Sequence, residues 1–201
     1  MNRVIFFVDG FNLYHAIAEK KQWRKYKWLN LHSLCKSFLS SKERLDKIFF
    51  FTAFYPGDEQ KRNRHRHYVR ALKFFGVIPI FGQFRRKDKH CKLCKEVSTG
   101  YEEKETDVNI AIELLRQAVY DNYDTAFILS GDSDLLPAIR AVTEMFPNKT
   151  IKLLLPPGRR AELLKQEVHM YMKIKDKHLR KNQFNDPLES DGVILNKPKT
   201  W

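Results

Sequence analysis

The sequence predicts an α/β sandwich built on a mostly parallel sheet, and three observations carry that expectation. Apolar runs suited to buried strands alternate along the chain with segments of helical period. The clearest run, Arg3 to Asp9, is apolar up to its acidic end, the pattern of a central strand covered on both faces. Acidic residues then recur where strands should end or helices begin, which in an open parallel sheet is the edge that binds ligands.

Taken in order, the first strand delivers Asp9 to that edge. Leu31, Leu34, Cys35 and Phe38 follow helical spacing, and Lys47 to Tyr55 reads as a second buried strand closed by Pro56-Gly57. A basic helix is expected from about Glu59 to Phe75, then a short strand from Val77 to Phe81. Gln83 to Glu103 is polar and basic without periodicity, so residues 82–104 are expected to form a long loop or a lobe. From Glu105 to Tyr120, the residues Val108, Ala111, Ile112, Leu115, Ala118 and Val119 predict an amphipathic helix with Asp107 in its first turn.

Thr125 to Ser130 predicts a strand, Asp134 to Phe146 a helix, and Thr150 to Leu155 a strand stopped by Pro156-Pro157-Gly158. Arg160 to Met172 predicts a helix with Leu163, Leu164, Val168 and Tyr171 turned inward. These elements make one domain over residues 1–174. Beyond it the pattern dissolves, and 175–201 is expected as a short packed segment with a frayed, partly disordered tail.

The 201 residues suit one large domain, able to bury roughly 70% of its unfolded surface. Thirty-seven Lys and Arg against 24 Asp and Glu give a net charge of +13, a field that attracts polyanions, so nucleic acid is the natural partner. Val4 to Val8 is too short for the apolar core of a signal peptide, and no stretch approaches the ~18 apolar residues of a membrane span. Three cysteines without such a signal are expected as reduced thiols in a cytoplasm. A homodimer is compatible with this composition.

The acidic positions are Asp9, in Asp9-Gly-Phe-Asn12, then Asp107, and then Asp132 and Asp134, in Ser130-Gly-Asp132-Ser-Asp134. Two like charges ~4 Å apart repel by ~4 kcal/mol at an effective dielectric of 20, so gathered carboxylates either protonate or share a cation. Oxygen-only donors favour a hard ion, Mg²⁺ or Mn²⁺, completed by substrate phosphate oxygens. Asn12 could orient a water or a phosphate, and Ser130 and Ser133 could bond the ligand carboxylates. Blander roles stand beside these: Asp9-Gly is a common turn, and Asp107, Asp132 and Asp134 suit helix N-termini.

The basic residues cluster. Arg62, Arg66, Arg70 and Lys73 share a face of their helix, which could track a phosphate backbone or be a solvated surface. Arg85, Arg86 and Lys87 lie in the expected loop as a candidate substrate clamp, and Arg159 and Arg160 open a predicted helix, where anions bind readily. Trp23, Tyr26 and Trp28 lie among lysines, placed either to stack on unpaired bases or to anchor the next helix. Cys91 and Cys94, preceded by His90, form a Cys-x-x-Cys knuckle. Zn²⁺ would need a fourth ligand from His65, His67 or a second subunit, and unliganded thiols or a redox pair remain open.

The segments around Asp9-Gly-Phe-Asn12-Leu-Tyr, Thr106-Asp107-Val108 and Ser130-Gly-Asp132-Ser-Asp134-Leu-Leu-Pro-Ala-Ile resemble the three motifs of the NYN domain family, a branch of the PIN-like nucleases. The likeness runs from about residue 1 to 172. It implies a Rossmann-like three-layer α/β/α sandwich and metal-dependent cleavage of RNA, with Asp9, Asp107, Asp132 and Asp134 as metal ligands and Asn12 as the accompanying polar residue. The expectation is therefore an Mg²⁺- or Mn²⁺-dependent endoribonuclease acting on single-stranded or loop RNA. An RNA-binding module without turnover and a DNA nuclease are its rivals. A phosphatase of the haloacid dehalogenase type ranks lower, because its motif needs a second Asp where this chain has Phe11.

Overall fold

In a computed structural model describing residues 1–90, 96–190 and 192–201, the chain opens with strand β1 (Asn2–Asp9) and helix α1 (Gly10–Glu19). Helix α2 (Leu31–Lys36), β2 (Glu43–Thr52), α3 (Glu59–Phe74) and β3 (Val77–Phe81) follow. Two further strands, β4 (Gln83–His90) and β5 (Val97–Lys104), pair with each other. Then come α4 (Thr106–Val119), β6 (Thr125–Leu129), α5 (Leu136–Met145), β7 (Thr150–Leu155), α6 (Glu162–Glu167) and β8 (Met170–Lys173). The chain closes with α7 (Asp176–Lys181), β9 (Leu188–Ser190) and β10 (Val193–Leu195).

The central sheet has six strands in the order β3-β2-β1-β6-β7-β8, and each of its pairings is parallel. Chain order reverses between β1 and β6, which makes that junction the switch point where ligands bind in open α/β sheets. Residues alternate across each strand, so Val4, Phe6 and Val8 join α1, α2 and α3 in one core, while Ile5 and Phe7 join α4, α5 and α6 in the other. This two-sided burial explains the unbroken apolar run of β1. Phe6 stacks on Phe127 of β6 with ring centroids 4.5 Å apart, tying the two strands that flank the switch point. Gly10 lets α1 leave β1 against the sheet: a Cβ there would sit 2.6 Å from the Phe51 carbonyl oxygen.

Several expectations are corrected. Helix α4 forms as predicted but turns a different face inward. Val108, Ile112 and Val119 are exposed, while Ile110 and Leu114 are buried; of the expected set Ala118 is buried as well. The buried side also carries Glu113 and Gln117, which pattern reasoning excludes from a core. They are tolerated there because Gln117 Nε2 donates to Glu113 Oε1 at 2.6 Å and Arg116 Nη1 donates to Glu113 Oε2 at 2.8 Å.

Residues 83–104, expected as a loop, contain the β4–β5 ladder, which pairs Gln83 with Lys104 through to His90 with Val97. Its residues from Arg85 to Asp88 are exposed, so no apolar alternation betrays the strands; cross-strand charge pairs such as Lys87 Nζ to Glu102 Oε2 at 2.8 Å support them instead. Cys91 and Cys94 lie outside the described residues, and with them the Zn²⁺ expectation.

The predicted helix over 160–172 is confined to α6, because His169 N donates to the Ile151 carbonyl and the chain turns into edge strand β8. Leu163 and Tyr171 are accordingly exposed, while Leu164 is buried. The packed segment expected after residue 174 is present among the described residues and extends to the last of them. Leu179, Phe184, Leu188 and Leu195 are buried in the first core, and Trp201 packs 5.6 Å from Tyr68 and 6.2 Å from Trp28. Trp23, Tyr26 and Trp28 are buried too, which makes them anchors of the core and not a stacking platform. Among the described residues no helix is long and apolar enough to cross a membrane.

Candidate active site

Asp9 ends β1 and is 4% exposed. It caps α1, with Oδ1 accepting from the Asn12 N–H at 2.9 Å, while Oδ2 accepts from the Ser130 hydroxyl at 2.8 Å. Ser130 follows β6 and in turn accepts from the Asp132 N–H at 3.1 Å. Asn12 Oδ1 accepts from the Gly131 N–H at 3.1 Å, a second tie between the same two loops. The first and third sequence motifs are thus joined at the switch point by side-chain hydrogen bonds.

Asp107 enters from the first turn of α4. Together Asp9, Asn12, Glu103, Asp107, Asp132 and Arg159 line a cleft of about 250 Å³. Asp134 stands outside that lining, exposed in the 3₁₀ turn Ser133–Leu135, where its N–H donates to Asp132 Oδ1 at 3.0 Å. The capping role considered for Asp132 is therefore real, Asp9 caps α1 where a turn was the plainer expectation, and both roles coexist with membership of the cleft.

The crowded charge is felt. Burial, then the charges of Asp9, Asp132, Glu103 and Asp134, push the Asp107 carboxyl up to about 6. Burial also raises Asp9, against the opposing hydrogen bonds from Asn12 and Ser130. Negative charge of this kind is what a bound cation neutralises, and the donors are oxygens suited to a hard divalent ion. Among the described residues no three His, Cys, Asp or Glu side chains form a set that could hold an ion as they stand. The cleft gathers the carboxylates without forming a closed cage.

Of the predicted basic residues, Arg159 reaches the cleft, held by bonds from Nη1 and Nη2 to Glu19 at 3.1 and 2.7 Å. Arg160 is exposed, and the six residues of α6 are too short to serve as the anion-binding helix end expected there. On α3, Arg62 lines a second cavity next to the cleft, whereas Arg66, Arg70 and Lys73 are exposed elsewhere on the helix. Arg85, Arg86 and Lys87 sit on β4, where each pairs with a nearby acid: Glu105 before α4, Asp88 on the same strand and Glu102 on β5 respectively.

Sequence reasoning missed Glu103, hidden in the segment read as loop, whose Oε1 accepts from the Thr106 N–H and hydroxyl at the start of α4. It also missed His15 and Glu19, which line the cleft with Asn12. Their spacing on α1, three and seven residues beyond Asn12, was a usable signal of a shared face.

A Vibrio parahaemolyticus protein of unknown function is similar in structure, with a TM-score of 0.62 and 16% identity over 87% of this chain and 94% of that one; this is a likeness of fold. A hypothetical protein from Neisseria gonorrhoeae with bound ppGpp aligns over 88% of this chain and 86% of that one at 10% identity, but its TM-score of 0.26 supports no argument. No curated protein matches the chain. The NYN domain model matches residues 3–175, nearly the whole of the sheet and both motif loops, and the chain therefore belongs to the NYN domain family of PIN-like nucleases.

Proposed function

We propose that this protein is a divalent-metal-dependent endoribonuclease that hydrolyses phosphodiester bonds of single-stranded or loop RNA. The observation that carries this reading is the convergence of Asp9, Asp107 and Asp132 in one cleft, with Asp107 pushed up to about 6 by burial and its acidic neighbours, inside a chain of net charge +13. Mg²⁺ or Mn²⁺ bound by these three, with Asp134 at the rim, would supply activation of a water and stabilisation of the leaving oxygen.

The chain's own groups position the reactants. Asn12 uses its carbonyl oxygen on Gly131, which leaves its amide N–H₂ to donate to a phosphate oxygen. Arg159, fixed by Glu19, places positive charge at the cleft wall. Hydrolysis adds the water oxygen to the scissile phosphorus and releases the 3′ oxygen, leaving 5′-phosphate and 3′-hydroxyl ends.

The engagement of both Asp9 and Asp132 in capping bonds favours a second reading, an RNA-binding module without turnover. One experiment separates the two. Wild type and Asp132→Asn are incubated with end-labelled single-stranded RNA, duplex RNA and single-stranded DNA, in Mn²⁺, Mg²⁺ or chelator. The nuclease reading expects metal-dependent cleavage of the single-stranded RNA by wild type alone. Binding without cleavage supports the module, and equal cleavage in chelator contradicts the metal-dependent reading.

A further inference from the structure

Next to the acidic cleft lies a larger cavity of about 570 Å³, within the range of small-molecule sites. Phe11 and His15 line both, so the two spaces adjoin along one side of α1. The cavity's walls are aromatic. Phe84 of the hairpin meets Phe11 edge to face at 5.8 Å and Tyr55 at 5.3 Å, so α1, the loop after β2 and β4 each contribute a ring. Its rim is cationic, with Lys61, Arg62 and Arg64 from the first turns of α3.

Two polar features bear on what the cavity takes. His65 Nε2 shares a hydrogen bond with Thr52 Oγ1 at 3.0 Å, and burial lowers the imidazole to about 4, so this ring adds no charge to the lining at neutral pH. Among the described residues Arg62 Nε has no hydrogen-bond partner, so one donor of a guanidinium in the cavity lining is left unused. Aromatic walls, a neutral imidazole and the cations of α3 match a heterocyclic base that enters ring-first with its phosphates outside.

We propose that this cavity binds one unpaired nucleobase of the RNA strand whose neighbouring phosphate lies in the acidic cleft. The proposal rests on the nuclease reading of that cleft and adds to it a cause for strand preference. A base stacked inside a duplex cannot enter a walled cavity, whereas an unpaired or extruded one can. A strand is favoured over a free nucleotide because the cavity and the cleft share a wall, so one chain of RNA can occupy both.

The test measures binding without cleavage. Wild-type protein in chelator is titrated into a fluorescein-labelled ten-nucleotide single-stranded RNA, and into versions of it carrying one abasic ribose at each successive position. The expected result is a loss of about tenfold in affinity at one position of a scan anchored by a fixed register, the effect of one lost stacking contact. Tyr55→Ala and Phe84→Ala, checked for folding by circular dichroism, should weaken binding of intact RNA by a similar factor and erase the difference between intact and abasic strands.

A flat abasic scan overturns the base site; if metal-dependent cleavage is nonetheless present, the nuclease reading stands without it. A position-specific loss in a protein that never cleaves supports the base site and removes the nuclease reading. Adenosine, cytidine, guanosine and uridine monophosphates serve as competitors. Their displacing the RNA at equal concentration would overturn the strand assignment in favour of a mononucleotide site.

Discussion

The Ser130 hydroxyl donates to Asp9 Oδ2 at 2.8 Å, joining the carboxyl ends of β6 and β1 across 121 residues of chain. The same hydroxyl accepts from the Asp132 N–H, so one oxygen holds two motif loops in register. Ser130 is fully buried, and removing its hydroxyl leaves a buried carboxylate short of a donor. Ser130→Ala should lower stability by about 2 kcal/mol, the scale of a hydrogen bond to a charged group. It should also reduce cleavage more than the small loss of folded protein explains. Urea unfolding and a single-turnover rate on the same preparation check this. An unchanged rate in a destabilised variant would confine the bond to a structural role.

Asp107 gives a pH-dependent prediction with a definite sign. Its folded carboxyl titrates at about 6, against about 3.9 in an unfolded chain. The folded state therefore binds the proton more tightly, and the Asp107 contribution to stability rises as pH falls from about 6 towards 4. Above that window the ionised group is a standing cost. Asp107→Asn should stabilise the metal-free protein at pH 7 by about 1–2 kcal/mol, after discounting for the partial exposure of the group. The difference should vanish below about pH 4. Adding Mn²⁺ should raise the melting temperature of wild type more than that of the variant, because an ion bound to the folded state stabilises it by mass action. Thermal melts at pH 7 and pH 4, with chelator or Mn²⁺, decide it; a variant less stable than wild type at pH 7 contradicts the repulsion.

What the sequence revealed and what it hid have the same physical origin. β1 was legible because a strand buried on both faces must be apolar throughout, and Asp9 because a carboxylate breaks that run at the ligand-binding edge. The meeting of Asp9, Asp107 and Asp132 followed from the topology that alternating strands and helices impose. The β4–β5 hairpin was invisible because much of it is exposed and stabilised by charge pairs, and Glu103 disappeared with it. The inward face of α4 was misjudged because Glu113 and Gln117 satisfy each other, which a hydropathy pattern cannot register. In the C-terminal segment Phe184, Leu188 and Trp201 pack through short elements that show no period to read.

The basic residues of α3 yield the last prediction, because under the proposed base site position along the helix decides which of them would meet RNA. Its first turns lie at the cavity, with Lys61, Arg62 and Arg64 in the lining, whereas Lys73 sits eleven residues beyond Arg62, roughly 16 Å along the axis at 1.5 Å per residue. A side chain that neutralises a phosphate releases counterions and steepens the dependence of affinity on salt. Arg64→Ala should therefore weaken single-stranded RNA binding and reduce the slope of log affinity against log salt by about 0.7, the value for one phosphate contact on a single strand. Lys73→Ala should leave both affinity and slope within error of wild type. On the hairpin, Lys87 is already paired with Glu102 and should behave more like Lys73 than like Arg64. Titrations of the three variants in chelator at several salt concentrations supply the comparison. A slope change for Lys73→Ala equal to that for Arg64→Ala would mean that RNA runs along the whole outer face of α3 and not into the cavity at its start.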